Sequence, residues 1–109
     1  MQPLILTVKE RIILLMIIPL QGTLSQIEFY EKLSKTIKIT ADEEQKLDLK
    51  LQKDSSGEYW NWKFEMQSDL TLELNEEDIL HLKNLALLYD QNGLVTSQNK
   101  PLIIKLLNL

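Results

Sequence analysis

The side chains able to do chemistry are few. The 109-residue chain carries one histidine, His81, and no cysteine. Glu77 and Asp78 precede His81 by four and three residues, so on a helix two carboxylates and an imidazole share one face. A divalent metal accepts such donors, but a closed site needs a third or fourth ligand from elsewhere. The sequence points to none. A solvated first helical turn is the expected setting of His81, with no metal and no cofactor.

Nucleophiles fare no better. Serines stand at positions 25, 34, 55, 56, 68 and 97, none within a Gly-x-Ser-x-Gly elbow. The three glycines, at 22, 57 and 93, are isolated, so no phosphate-cradling loop exists. Carboxylates are plentiful, but most sit beside lysines or at helix caps. General acid–base work needs burial or a like-charged neighbour to move a carboxyl pKa. No catalytic residue is expected, and the chain reads as a non-enzyme.

Two features suit binding instead. Trp60 and Trp62 fall on one face of a strand with Tyr59 and Phe64 nearby. Such a pair serves as a stacking platform for bases, as a hot spot for a protein partner, or simply as core. Leucines on the neighbouring strands favour packing beneath helices, with a partly exposed edge. The second feature is charge. Residues 41–78 hold twelve acids and four bases, a net −8, while the segments on either side are each +2. Glu76, Glu77 and Asp78 concentrate three carboxylates in one stretch. A surface of that kind repels phosphate and attracts a basic protein. The candidate partner-binding residues are Glu76, Glu77, Asp78, Trp60 and Trp62.

The elements that must position these residues are well punctuated. Thr7-Val8-Lys9-Glu10 is a capping box opening a helix over 7–18, which Pro19 stops. Its run Ile12–Ile18 is apolar on every side, so it is expected to be the central core helix, surrounded by protein. Gln21-Gly22 turns the chain, and a second box, Thr23 to Gln26, opens a helix over about 24–38. Its apolar face is Ile27, Tyr30, Leu33 and Ile37, and its polar face Glu28, Glu31, Lys32 and Lys35. A third box begins at Thr40 and predicts a short acidic helical turn. The period then falls to two: Leu47, Leu49 and Leu51 alternate with polar residues, Asp54-Ser55-Ser56-Gly57 turns, and Trp60, Trp62, Phe64 and Met66 alternate in reply. Leu70, Leu72 and Leu74 give a third strand. Asn75 caps a helix whose acidic first turn complements the helix dipole and whose end is Asn92-Gly93. Pro101–Leu107 is expected to be a short helix docked on the core.

These elements predict an α+β fold in one domain spanning 1–109, with helices on a three-stranded antiparallel meander. The order of helix, helix, short helix and hairpin is also that of a winged-helix domain, whose third helix enters the major groove. Here that helix is Ala41 to Lys46, dense in acid, and Arg11 is the only arginine in the chain. Nucleic acid is therefore not the expected partner. Seven consecutive apolar residues are too few for a spanning helix, which needs about 20. The run is followed by Gln21-Gly22-Thr23-Leu24, a poor small-residue cleavage site, so a cytoplasmic address without membrane contact is expected.

Taken together, the Leu6–Arg11 entry, the aliphatic run ending at Pro19, Gln21-Gly22-Thr23, the Thr-Ala-Asp-Glu-Glu cap at 40–44 and a tryptophan just past the hairpin turn resemble a group of small uncharacterised bacteriophage- and prophage-encoded proteins of about this length. The chain departs from that group at Lys100-Pro101-Leu102-Ile103-Ile104, where the group carries an acidic and aromatic tail. The resemblance implies a setting, a phage-related cytoplasmic accessory protein, and supplies no functional residues. Three functions are thus expected in order: a protein-interaction module using its acidic middle; a winged-helix-like nucleic-acid-binding regulator; and a homo-oligomeric structural subunit, for which the apolar segments Leu4-Ile5-Leu6 and Leu102–Leu109 are the motive.

Overall fold

The computed structural model describes residues 1–55, 57–63 and 68–109. Four of its helices begin in the same way. Thr7 Oγ1 accepts from the Glu10 amide at 3.2 Å while Glu10 Oε1 accepts from the Thr7 amide at 3.0 Å, opening α1 (Val8–Ile17). Thr23 and Gln26 do the same for α2 (Leu24–Ile37), and Thr40 and Glu43 for α3 (Ala41–Leu47). Asn75 and Asp78 form a fourth reciprocal box for α4 (Glu76–Gln91). Each satisfies two amides that a helix start leaves without partners, worth about 1 kcal/mol. The sequence boundaries of α1 and α2 therefore hold to within a residue. At the far end of α4, Gly93 takes a φ of 66°, with its amide bonded to the Asp90 carbonyl and that of Leu94 to the Tyr89 carbonyl. This is a Schellman stop, and it needs a residue without a Cβ penalty at that angle. The last helix, α5 (Lys100–Leu107), carries its proline in the first turn, where no amide is lost.

The strands depart from expectation. The described residues form two separate two-stranded antiparallel sheets and not one three-stranded meander. Residues Gln2–Leu6 are a strand, β1, which the sequence reading missed; β2 (Lys50–Asp54) and β3 (Gly57–Asn61) make the hairpin; β4 (Leu70–Leu74) pairs with β1, Leu4 opposite Leu72. The reason is burial. Leu4 and Leu6 alternate with Pro3 and Ile5 as Leu72 and Leu74 alternate with Thr71 and Glu73, so pairing β1 with β4 lays four leucines on one inward face. The hairpin has no such face, and its leucine Leu51 is exposed. Leu47, expected in the strand, is instead the buried last residue of α3, because Asp48 adopts a left-handed φ of 50° and ends the helix one residue later. Phe64 and Met66, expected to extend the hairpin, lie outside the described residues.

The core gathers between the β1–β4 sheet and the helices: Leu4, Leu6, Leu14, Ile37, Leu82, Leu85, Leu102 and Leu106 are all but inaccessible. The leucines of segments 4–6 and 102–107 thus belong to one core, while Ile5 and Ile104 stay exposed. Lys105 Nζ donates to the Ile5 carbonyl at 2.8 Å and to Glu10 Oε1 at 2.7 Å, tying α5 across β1 to the start of α1. A second correction concerns α1. It was expected to be enclosed all round, but only part of its circumference is buried; Met16 is 74% exposed, and Ile12 and Ile13 are half-exposed.

Candidate partner-binding groove

The exposed side of α1 is the floor of a groove. Lys9, Ile12, Ile13 and Met16 recur at helical spacing and face the strand β3, whose Gly57–Trp60 stretch forms one wall together with Trp62. The groove holds about 420 Å³ and is open to solvent, with Gln98 also in its lining. A neighbouring depression of about 370 Å³ shares Lys9, Ile13 and Gln98 with it and continues past Glu10 to Pro101 and Lys105 of α5. The two depressions adjoin along α1, and Lys9, Ile13 and Gln98 stand where they meet.

Trp60 is 43% exposed and Trp62 half-buried, so neither tryptophan is the core residue that their leucine neighbours suggested. The physical reason is the sheet topology. With β4 committed to β1, β2 and β3 pair only with each other among the described residues, and the aromatic residues of the hairpin are left lining the groove on α1. Tyr59, also exposed, completes an aromatic edge.

One buried cation holds this wall in place. Arg11 is enclosed to within 3% of its surface, beneath the ends of α2 and α3. Its Nε donates to the Ile37 carbonyl at 2.9 Å and its Nη2 to the Lys38 carbonyl at 3.0 Å, satisfying the terminal carbonyls of α2. The fork then reaches Glu43 of α3 twice, Nη1 to Oε2 at 2.6 Å and Nη2 to Oε1 at 3.1 Å. Hydrogen bonding to Arg11, with help from the Thr40 amide and hydroxyl, pulls the Glu43 carboxyl down to about 2 against the opposing effect of burial. Because α3 leads directly into β2, and the Lys63 amide just past β3 bonds the Leu47 carbonyl at 2.7 Å, both ends of the hairpin hang from this clamp. The sequence marked Arg11 only as the lone arginine; the three acceptors it joins lie 26 to 32 residues away and leave no local trace.

The acidic half of the expected site lies elsewhere. Glu76 and Glu77 are exposed on the first turn of α4, and Asp78 is spent on the cap of Asn75 while lining a different depression between α2 and β4. That depression and the α1 groove share no lining residue, so the structure does not bring Glu76, Glu77 and Asp78 together with Trp60 and Trp62. His81 is not on a freely solvated turn either. Its ring stacks on Phe29 of α2 with centroids 4.7 Å apart, and its Nε2 lies 3.7 Å from Glu77 Oε1. Phe29 in turn meets Tyr30 edge-on, and burial pushes the Tyr30 phenol up. The ring serves as a packing piece between two helices. Among the described residues no group of three or more His, Asp or Glu side chains converges as a metal site would require. No helix among them is long and apolar enough to cross a membrane.

Compared with protein-family models, curated proteins and solved structures, the chain gives no match. The geometry alone bears on function.

Proposed function

We propose that this chain is a non-enzymatic protein-interaction module, working in the phage-related accessory setting its sequence resembles, and that its partner seats an apolar segment in the α1–hairpin groove. One observation carries the reading: an exposed tryptophan, Trp60, stands across about 420 Å³ of open space from an unpartnered row of Ile12, Ile13 and Met16. Large rigid aromatics beside an aliphatic floor are the usual anchors of protein interfaces, where a few such side chains supply most of the affinity. A monomer gains nothing from leaving that surface wet. The charged residues lining the groove, Lys9 and Glu58, balance, so the anchors of the partner segment are expected to be apolar rather than of one charge.

The nucleic-acid reading has less behind it. The seven-residue α3 turns Asp42 and Glu44 to solvent, and Arg11, the only arginine, is enclosed. The oligomer reading keeps only part of its motive, since Leu4, Leu6, Leu102 and Leu106 are buried within the chain while Ile5 and Ile104 are exposed.

The test is a low-salt pull-down from host lysate using the wild type and two surface variants, Met16→Glu and Trp60→Ala, each first checked for unchanged thermal stability. A protein retained by the wild type after nuclease treatment and lost by both variants is the expected result. Recovery of nucleic acid that leaves with nuclease or salt, or a partner held equally by all three proteins, would overturn the groove assignment.

A further inference from the structure

The two outer edges of the β1–β4 sheet are treated differently. On the β1 side, Pro3 has no amide to offer and the Ile5 carbonyl is taken by Lys105 Nζ. In an antiparallel ladder, opposed residues either exchange their hydrogen bonds or both turn them outward. Pro3 and Ile5 turn outward, so their partners Glu73 and Thr71 turn their amides and carbonyls to the outer edge of β4. Proline and a lysine cap are standard ways to close a strand edge to further pairing. The β4 edge has neither. Among the described residues no backbone or side-chain group bonds Thr71 or Glu73 on that side.

The open edge also has a wall. A depression of about 320 Å³ runs between four successive residues of β4, Thr71 to Leu74, and the α2 side chains Phe29, Lys32, Leu33 and Thr36. An edge strand flanked by a helix is the arrangement that accepts an extended peptide as an added strand, with main-chain bonds giving affinity and side-chain pockets on alternate residues giving selectivity.

We propose that the β4 edge is a second binding site, distinct from the α1 groove, which takes an extended segment of another protein whose residues alternate between apolar and basic. Side chains of such a strand that point toward the core layer meet Phe29 and Leu33. Those on the opposite face lie beside Thr71 and Glu73, where a lysine or arginine pairs with the Glu73 carboxylate. Asp78 lines the same depression, and Glu76 and Glu77 follow on the first turn of α4, so the end of the groove near Leu74 is acidic. This gives the exposed acidic turn a use as the selector for a basic strand end. A second copy of the chain is a poorer occupant. Pairing β4 with its twin would place two α2 helices across the two-fold axis in the space that one α2 already walls.

The probe is a synthetic peptide of about seven residues alternating valine and lysine, titrated into the isotope-labelled full chain and followed through amide resonances. The expected result is saturable shifts centred on Thr71 and Glu73, with slowed exchange of those two amides. Methylating the peptide nitrogens on one set of alternate residues should weaken binding about tenfold, and methylating the other set should not, because only one set faces β4. Glu73→Lys should weaken the lysine peptide about fivefold and improve a valine–glutamate peptide. Trp60→Ala should change nothing here, which separates this site from the α1 groove: either can fail while the other stands. Shifts centred on Ile12, Met16 and Trp60, equal effects of both methylation patterns, or no binding at millimolar peptide would each overturn the proposal.

Discussion

Replacing Glu43 by glutamine should cost stability in a way that fades with acid. The substitution keeps Oε1 for the Thr40 amide and Arg11 Nη2, so the capping box survives, while the charge opposite Arg11 and the Oε2 acceptor of its Nη1 are both removed. The carboxyl is held at about 2 against 4.5 when free, a difference worth about 3 kcal/mol. A third of the Glu43 side chain is open to water, which screens the pair and reduces the figure to ~2 kcal/mol. For a domain of this size that is a fall in Tm of about 10 °C. The folded pKa lies below the unfolded one, so between about 2 and 4.5 the unfolded chain binds more protons and stability rises with pH. The contribution is therefore complete above about pH 4.5 and disappears as the pH falls toward 2. Urea titrations of the wild type and Glu43→Gln at pH 7, 4 and 3 measure it as the gap between the two proteins, which cancels the other carboxylates. A gap of ~2 kcal/mol at pH 7 that shrinks on the way to pH 3 is expected. A gap that is the same at both pH values, or below ~0.5 kcal/mol at pH 7, would refute the clamp as an ionic one.

Two further substitutions probe the frame around the groove. Lys105→Met should lose the bonds to the Ile5 carbonyl and to Glu10, lowering stability by about 1–2 kcal/mol in urea and speeding hydrogen exchange in β1 before α2. Asp48→Gly should raise stability by about 0.5–1 kcal/mol in the same assay. Its φ of 50° strains any residue with a Cβ, and the solvent-exposed pairing with Lys50 that is lost is worth little.

How far the sequence could be read depended on whether a feature was local. Capping boxes lie within four residues, so the starts of α1, α2, α3 and α4 were legible. The β1 strand was not, because its five residues give only two inward leucines, and a period of two cannot be recognised in so short a run beside a helix cap. The strand is defined by β4, which lies on the far side of three helices and a hairpin. The same holds for the groove. Ile12, Ile13 and Met16 sit in a run where every neighbour is also apolar, so no face stands out from the pattern. Which side of that helix stays uncovered is decided by the pairing of β1 with β4, which takes the leucine-rich strand away from the hairpin. Trp60 and Trp62, expected to be core, are exposed and half-buried for this one reason.

Closure of the fold and creation of the groove therefore have a common cause. Had β4 joined the hairpin as a meander, Leu72 and Leu74 would have faced the same helices as the tryptophans, and the aromatic wall would have been consumed as core. By drawing β4 onto residues 2–6, with α5 tied to them through a contact between residues 100 apart, the chain completes its core from segments distant in sequence. The described strands of the hairpin then pair only with each other. What keeps it from drifting is Arg11, whose three acceptors fix the end of α2 and the start of α3 and so set where β2 leaves. A side chain spending a buried charge at that junction is a weak source of net stability but a strong source of a single geometry. If the clamp serves geometry, loosening it through Glu43→Gln will weaken whatever binds beside Trp60 by more than the lost stability explains, with the β4 edge unaffected.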